Sequence, residues 1–376
     1  MVKNVANHAP GYPADAAARL STVGCVIPFR TIEIHQDGVI TLCCYTWLPE
    51  FCGNILTDTP QQILENFKRQ AILQGMRQGR FDHCTDHCPR LTEFIVNGSH
   101  YNLVPLADMD ISIANTAFRV YLTYDKSCNL QCPSCRSSLI MHKLEDQHNP
   151  IAVKLIQIHA KVKQLIQLLL DQGHTVTLDI TGSGDPFASQ IYWNYLKELS
   201  AGPVNSNLAI GLHTNGIMMT EKHWAEIKPL WPRIIGMNVS VDAATAETYR
   251  LVRKGGNFET LVKNLDNLDA MIARGDLPGL NSWINNIIVQ KDNFKELKHF
   301  MEWQLSYKSL HRVWTNLIAQ WGHISDEEYQ SMAIWKQGHH LRDQLIDILK
   351  DPIFRDPRID LGNMINLMPP AAQGQQ

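Results

Sequence analysis

From residue 118 onward two apolar patterns alternate along the chain. Phe118 to Tyr124, Thr175 to Ile180, Leu208 to His213, Ile234 to Val241, Ser282 to Val289 and His311 to Ile318 are short stretches rich in β-branched or aromatic residues, and they predict strands. Between them Ile151 to Leu170, Ser189 to Leu199, Glu221 to Leu230, Ala246 to Ala273 and Asn293 to Leu305 repeat apolar residues at helical spacing, with Gly255-Gly256 as a candidate break. Strand followed by helix, in steps of roughly thirty residues and without a hairpin signal, predicts an α/β fold with a parallel sheet, curved or closed. Such sheets place their ligand site at the carboxyl ends of the strands.

Residues 21 to 110 break that rhythm. Thr31 to Ile34 and Val39 to Leu42 flank Gln36-Asp37-Gly38 as a hairpin would, and Pro60 to Gln78 reads as a helix. The patterns change over near Val104 to Ile113. The expected organisation is an extension over 1–20, a small cysteine-rich module over 21–110, an α/β domain over 115–320 and a helical segment with a flexible tail over 321–376. No internal repeat is visible.

Composition narrows the function. With 34 Lys plus Arg against 37 Asp plus Glu, the net charge of −3 excludes the basic excess that a nucleic-acid-coating protein needs. No apolar run approaches the ~20 residues of a membrane helix. The first twenty residues lack the basic-then-apolar order of a signal peptide, so a cytoplasmic location is expected, with neither nucleic acid nor membrane as a partner.

A reducing compartment disfavours structural disulfides and turns clustered cysteines toward metal or redox duty. Cys25, Cys43, Cys44, Cys52, Cys84 and Cys88 lie early, Cys128, Cys132 and Cys135 lie together, and none follows. The run Cys128-Asn-Leu-Gln-Cys132-Pro-Ser-Cys135 sits directly after the first α/β strand, where three thiolates can converge on one face of an iron–sulfur cubane and leave one iron open. Zinc more often recruits four ligands, and a thioredoxin-like pair needs two.

This run resembles the C-x3-C-x2-C motif of the radical S-adenosylmethionine (radical SAM) superfamily, which follows the first strand of a partial (β/α)6 barrel. Further segments agree in order and position. Thr181-Gly182-Ser183-Gly184-Asp185 is similar to the small-residue loop that binds the methionine amino group of the cofactor. Thr214-Asn215-Gly216 matches the family's Thr-Asn-Gly after a strand. Ser240 and Asp242 resemble residues that face the ribose, and Arg253 the arginine that pairs with the methionine carboxylate, a group its planar fork suits. Read alone, Asp242 is a helix N-cap and Arg253 a surface ion pair.

The amino-terminal cysteines carry a second resemblance. Cys25 and Cys43, Gly53-Asn54-Ile55, a helix with Arg77, then Cys84 and Cys88 are similar to the SPASM module, which holds an auxiliary cluster; here it precedes the barrel instead of following it. The ligands it implies are Cys25, Cys43, Cys84 and Cys88, leaving Cys44 and Cys52 as spare thiols. The rival is structural zinc, since His83, Cys84, His87 and Cys88 have zinc-finger spacing.

Together the resemblances imply two 4Fe-4S clusters and S-adenosylmethionine as cofactors. They imply reductive cleavage to a 5′-deoxyadenosyl radical and hydrogen abstraction from a small-molecule or peptide substrate, with flavodoxin or ferredoxin as the kind of one-electron donor. A maturase of another protein, or a non-enzymatic cluster or zinc scaffold, is the alternative. Cys52, Tyr124, His213 and His323 are candidate proton or hydrogen donors but are more simply core or surface groups, as Trp303, Trp314, Trp321 and Trp335 are more simply packing.

Overall fold

The computed structural model describes residues 15–86, 88–114, 117–146, 148–203, 205–320 and 324–368. His87, Trp321, His323 and the tail from Pro369 lie outside them, as does most of the expected 1–20 extension. The chain divides into two compact units. The first is Met1–Lys126, Lys143–Ser183 and Asn205–Ile210; the second is Ser127–His142, Gly184–Val204 and Gly211–Gln376.

Six strands of the first unit are β1 (Val23–Cys25), β2 (Thr31–Ile34), β3 (Ile40–Thr41), β4 (Leu103–Pro105), β5 (Phe118–Leu122) and β6 (Val176–Ile180). The expected hairpin is β2 antiparallel to β3, and Gly38 takes the left-handed φ of 76° that its turn requires. On its other edge β2 pairs in parallel with β5, which pairs in parallel with β6, so the hairpin is continuous with the parallel sheet. β1 and β4 form a separate antiparallel pair. The helix expected over Pro60 to Gln78 is two, Pro60–Leu64 and Phe67–Arg77, because the Asn66 side chain accepts from the amides of Lys68 and Arg69 and starts a new helix there. Helix Pro89–Asn97 was not expected, although Leu91, Phe94 and Ile95 fall at helical spacing and are buried. The longest helix, Pro150–Asp171, is capped by Asn149 and buries Leu155, Ile158, Val162, Leu165 and Leu169, one face at spacings of three and four.

Strand β7 (Leu208–Thr214) starts in the first unit and ends in the second. The second unit continues with β8 (Ile234–Ser240), β9 (Ser282–Val289), β10 (Arg312–Leu317) and β11 (Ile359–Asp360), paired in parallel in that order. The predicted break in the long helix is real: Ala246–Val252 and Phe258–Ala273 are separate, with Gly255 at φ 91° between them. Glu221–Glu226 stays α-helical only briefly and passes into a 3₁₀ turn, Lys228–Arg233, where Pro229 and Pro232 lack the amide hydrogens that an α-helix needs. The fold is thus α/β with mostly parallel strands, and no described helix is long and apolar enough to cross a membrane.

Candidate functional site

Within the second unit the loop after β5 is folded by its own backbone. The amides of Cys135 and Arg136 both donate to the Cys132 carbonyl, Cys128 N–H donates to Ile140 O, and Gln131 N–H reaches Lys254 O at 2.9 Å. Cys128 and Cys132 are buried and Cys135 is exposed. Every one of the three sulfurs accepts from nitrogen. Leu130 N–H and Asn215 Nδ2 point at Cys128 Sγ (3.5 and 3.6 Å), Arg253 Nη1 at Cys132 Sγ (3.6 Å) and Arg136 Nη2 at Cys135 Sγ (3.4 Å). Burial pushes the Cys128 thiol up to about 11 and raises that of Cys132 against the pull of Arg253, so iron must displace protons to bind there.

Asp185 is wholly buried, and its carboxylate accepts from Phe187 N (3.0 Å), Thr214 Oγ1 (2.8 Å) and Asn215 N (2.8 Å). It therefore ties its own loop to Thr214-Asn215-Gly216, and that places the Asn215 amide against Cys128. Gly216 is obligatory: at φ 78° a Cβ would lie 2.7 Å from Leu261 Cδ1 and 3.0 Å from Val239 Cγ1. Thr181, Gly182 and Ser183 belong to the first unit. There Thr181 Oγ1 accepts from Ser183 N, Ser183 Oγ donates to Thr123 O (2.7 Å), and Gly182 has open space on its Cβ side. Gly184 begins the next stretch of the second unit.

At the end of β8, Asp242 is neither a helix cap nor free. Thr245 caps helix Ala246–Val252, while Asp242 sits at φ 64°, a left-handed backbone rarely held by a non-glycine residue. Its Oδ2 pairs with Arg253 Nη2 (2.8 Å) and its Oδ1 accepts from Ile288 N (2.7 Å). The pair is buried, with side chains 2% and 12% exposed, so Arg253 is no surface ion pair. Burial pushes the Asp242 carboxyl above the usual range, with Arg253 opposing. Arg253 Nε and Tyr249 Oη are buried without a protein partner. Glu296 fixes the following turn by accepting from Ala244 N and from the hydroxyls of Thr245 and Thr248. Ser240 Oγ meets His213 Nε2 at 3.1 Å, and burial with the Arg253 charge holds His213 neutral, its pKa lowered to about 4.

Strands β8 to β10 are two-faced in a way the sequence reading missed. Register puts Asn238 and Ser240, then Ile284, Asn286 and Ile288, then Arg312, Trp314 and Asn316 on one face. The opposite face is Met237, Val239, Trp283, Ile287, Val289, Val313 and Leu317, all buried, with Asn285 and Thr315. Parallel strands usually read as continuous apolar runs because both faces are covered. Asn286 donates to Asn238 Oδ1, yet its own Oδ1 is buried without a protein partner.

In the first unit Cys25, Cys43, Cys84 and Cys88 line one cavity together with Arg90, whose Nη1 lies 3.7 Å from Cys43 Sγ. Burial drives the Cys25 and Cys43 thiols up to about 11 and about 12. Cys44 is exposed and Cys52 buried, and neither lines the cavity. His83 Nδ1 pairs with Glu50 Oε1 (3.0 Å). Among the described residues no three Cys, His, Asp or Glu side chains converge on one point as a single ion requires. The four thiols instead ring a space. Tyr124 Oη is tied to His159 Nδ1, and Trp303 packs on Phe258, Phe300 and Tyr307, both core roles.

Sequence reasoning gave no role to Arg136, Tyr249 or Asn286; Arg136 had a signal as an arginine next to Cys135, and Tyr249 stands in the same stretch as Ser240 and Asp242.

Comparison with known proteins bears on the second unit above all. Residues 126–303 match the model of the Radical SAM superfamily. No curated protein matches the chain. Among solved structures it is similar to hexahistidine-tagged anSMEcpe with bound AdoMet, at 15% identity over 64% of this chain and 62% of that one, with a TM-score of 0.41. It is similar to the radical S-adenosylmethionine methyltransferase TsrM from Kitasatospora setae with cobalamin and a 4Fe-4S cluster bound, at 14% identity over 51% and 35%, TM-score 0.37. The third is methylornithine synthase (PylB), at 12% identity over 71% and 77%, TM-score 0.35. The chain thus spans less than two thirds of the first two of these structures. The stretch similar to the Radical SAM superfamily model, residues 126–303, contains Cys128, Cys132, Cys135, Asp185, Asn215, Asp242 and Arg253.

Proposed function

We propose that this chain is a radical SAM enzyme that cleaves S-adenosylmethionine reductively and abstracts hydrogen from a small metabolite or peptide. The observation that carries the reading is the set of N–H donors on the sulfurs of Cys128, Cys132 and Cys135. Hydrogen bonds to cysteine sulfur are what stabilise thiolate bound to a cluster. When bound, a 4Fe-4S cluster with one open iron and S-adenosylmethionine supply a 5′-deoxyadenosyl radical able to attack an unactivated C–H bond.

The chain's own residues hold and orient. The three cysteines are the cluster ligands, with Asn215 and Arg253 fixing two of the sulfurs. Gly184, Asp185, Asn215, Ser240, Asp242 and Arg253 are the cofactor-binding residues of the second unit in this reading, and Thr181, Gly182 and Ser183 keep a cofactor-binding role on the sequence resemblance alone. Arg253 Nε, buried without a protein partner, is the donor left for the cofactor carboxylate. Neutral His213 orients Ser240. The polar face of β8 to β10 suits a substrate that hydrogen-bonds, and closure of the strands into a partial barrel would enclose it.

Cys25, Cys43, Cys84 and Cys88 are read as ligands of a second, auxiliary 4Fe-4S cluster of SPASM type, acting in substrate oxidation or positioning. A ring of four thiols around a space fits a group with volume better than a single ion. A one-electron donor such as flavodoxin or ferredoxin would serve the reduction, in the cytoplasm, where thiols stay reduced.

The test is anaerobic reconstitution with iron and sulfide, then assay of 5′-deoxyadenosine from S-adenosylmethionine and dithionite. Formation in the parent and its loss in Cys132→Ala supports the reading. No 5′-deoxyadenosine from cluster-loaded parent refutes it.

A further inference from the structure

The cavity ringed by Cys25, Cys43, Cys84 and Cys88 is otherwise lined by apolar side chains, Trp47, Met76 and Phe81 among them. Among the described lining residues, Arg90 alone carries a fixed charge. It belongs to the first turn of helix Pro89–Asn97, which starts directly after Cys88, so the chain segment that supplies a thiol also delivers the guanidinium. Its Nη1 reaches Cys43 Sγ at 3.7 Å, and its charge also acts on Cys88 and Cys25.

A cubane with a 2+ core on four thiolates carries two net negative charges, and reduction adds a third. An apolar chamber disfavours that build-up, because uncompensated charge is costly in a low-dielectric surrounding. One arginine removes one unit of it and donates to a ligand sulfur, two of the levers that set cluster potentials.

We propose that Arg90 is the charge-compensating residue of this site and raises the reduction potential of the cluster held there, an inference that rests on the two-cluster reading above. Arginine suits the task because it stays protonated when buried.

The experiment uses the full chain with Cys128, Cys132 and Cys135 all changed to Ala, so that iron binds only at the amino-terminal site. It compares Arg90, Arg90→Gln and Arg90→Lys by iron content and by a redox titration followed by electron paramagnetic resonance. The expected result is equal iron in all three and a lower midpoint in Arg90→Gln, with at least a tenfold change in the oxidised-to-reduced ratio, about 59 mV for one electron. Arg90→Lys should stay near the parent. Iron lost in Arg90→Gln but kept in Arg90→Lys also supports the proposal, since charge is then what the site needs. An unchanged midpoint in Arg90→Gln at equal iron overturns the role of Arg90 and leaves the second cluster standing. Equal loss of iron in both variants overturns it too. Absence of iron in the Arg90 parent sinks the two-cluster reading and this inference with it.

Discussion

Replacing Arg253 by Ala should cost the fold far more than a surface arginine would. The guanidinium is 2.8 Å from Asp242, and both side chains are almost sealed from solvent. At an effective dielectric near 20, opposite charges about 4 Å apart attract by about 4 kcal/mol. Truncating one member leaves the other charge buried, a loss of about 3–5 kcal/mol. Asp242 would keep a single donor on its carboxylate, Ile288 N–H. The remedy for a stranded carboxylate is to take up a proton, which sets the sign of the pH effect. In Arg253→Ala the folded chain binds that proton at higher pH than the unfolded chain does, so the deficit is largest at neutral pH and shrinks as pH falls toward the ordinary carboxylate range. Adding Asp242→Asn removes the stranded charge, and the double variant should lose less than the two single losses added, by about 2 kcal/mol or more. Urea unfolding followed by tryptophan fluorescence, at pH 7.5 and about pH 5, measures all of this. A loss under about 1 kcal/mol in Arg253→Ala, with no pH dependence, is what a solvated pair gives, and it would refute the buried-pair argument.

Four other outcomes are expected. Cys132→Ala should abolish 5′-deoxyadenosine formation, whereas Cys84→Ala should keep part of it while losing product, as chromatography of the reaction will tell. Reconstituted parent should hold roughly eight irons per chain and Cys84→Ala roughly four, on the stoichiometry of two cubanes; stoichiometric zinc in the first unit would contradict this. Asp185→Ala should destabilise the chain by about 2–4 kcal/mol, since it strands the Thr214 hydroxyl and the Asn215 amide in the interior; an unfolding midpoint equal to the parent's would count against it. His213, with its folded pKa lowered to about 4, should make the iron-free chain lose stability as pH falls from about 6.5 toward 4, by an order of 2–3 kcal/mol, and be flat above that window; His213→Gln should remove this slope.

The parallel strands and the break at Gly255-Gly256 were legible because burial imposes a period and glycine interrupts it. The cysteine run was legible because its spacing has few uses. Asp242 and Arg253 were legible as positions but not as partners of each other: nothing in one dimension says that a strand end and a helix end eleven residues on will share a buried ion pair. Asp185 looked like a loop residue facing a ligand and is a tie between two loops, which only the fold can bring together. The split at Asn66 was hidden because its side-chain cap replaces a backbone bond without disturbing the apolar spacing. Strand β11, two residues long, is too short for any periodicity to register.

The unequal faces of β8 to β10 bear on how this protein can change over time. On the face carrying Val239, Trp283 and Val313, shortening a side chain opens a cavity at about 2–5 kcal/mol, a large share of the stability a domain has. The face carrying Asn238, Asn286, Trp314 and Asn316 holds a buried Asn286 bonded to Asn238 and a partly exposed Trp314, and exchanging one polar group for another there leaves the apolar core of the opposite face intact. Mutation can therefore explore the second set while the first is held nearly constant. Two layers of the same strands, one residue out of step, thus evolve under different constraints: an apolar scaffold on one side, and on the other a set of polar positions whose exchange leaves that scaffold in place.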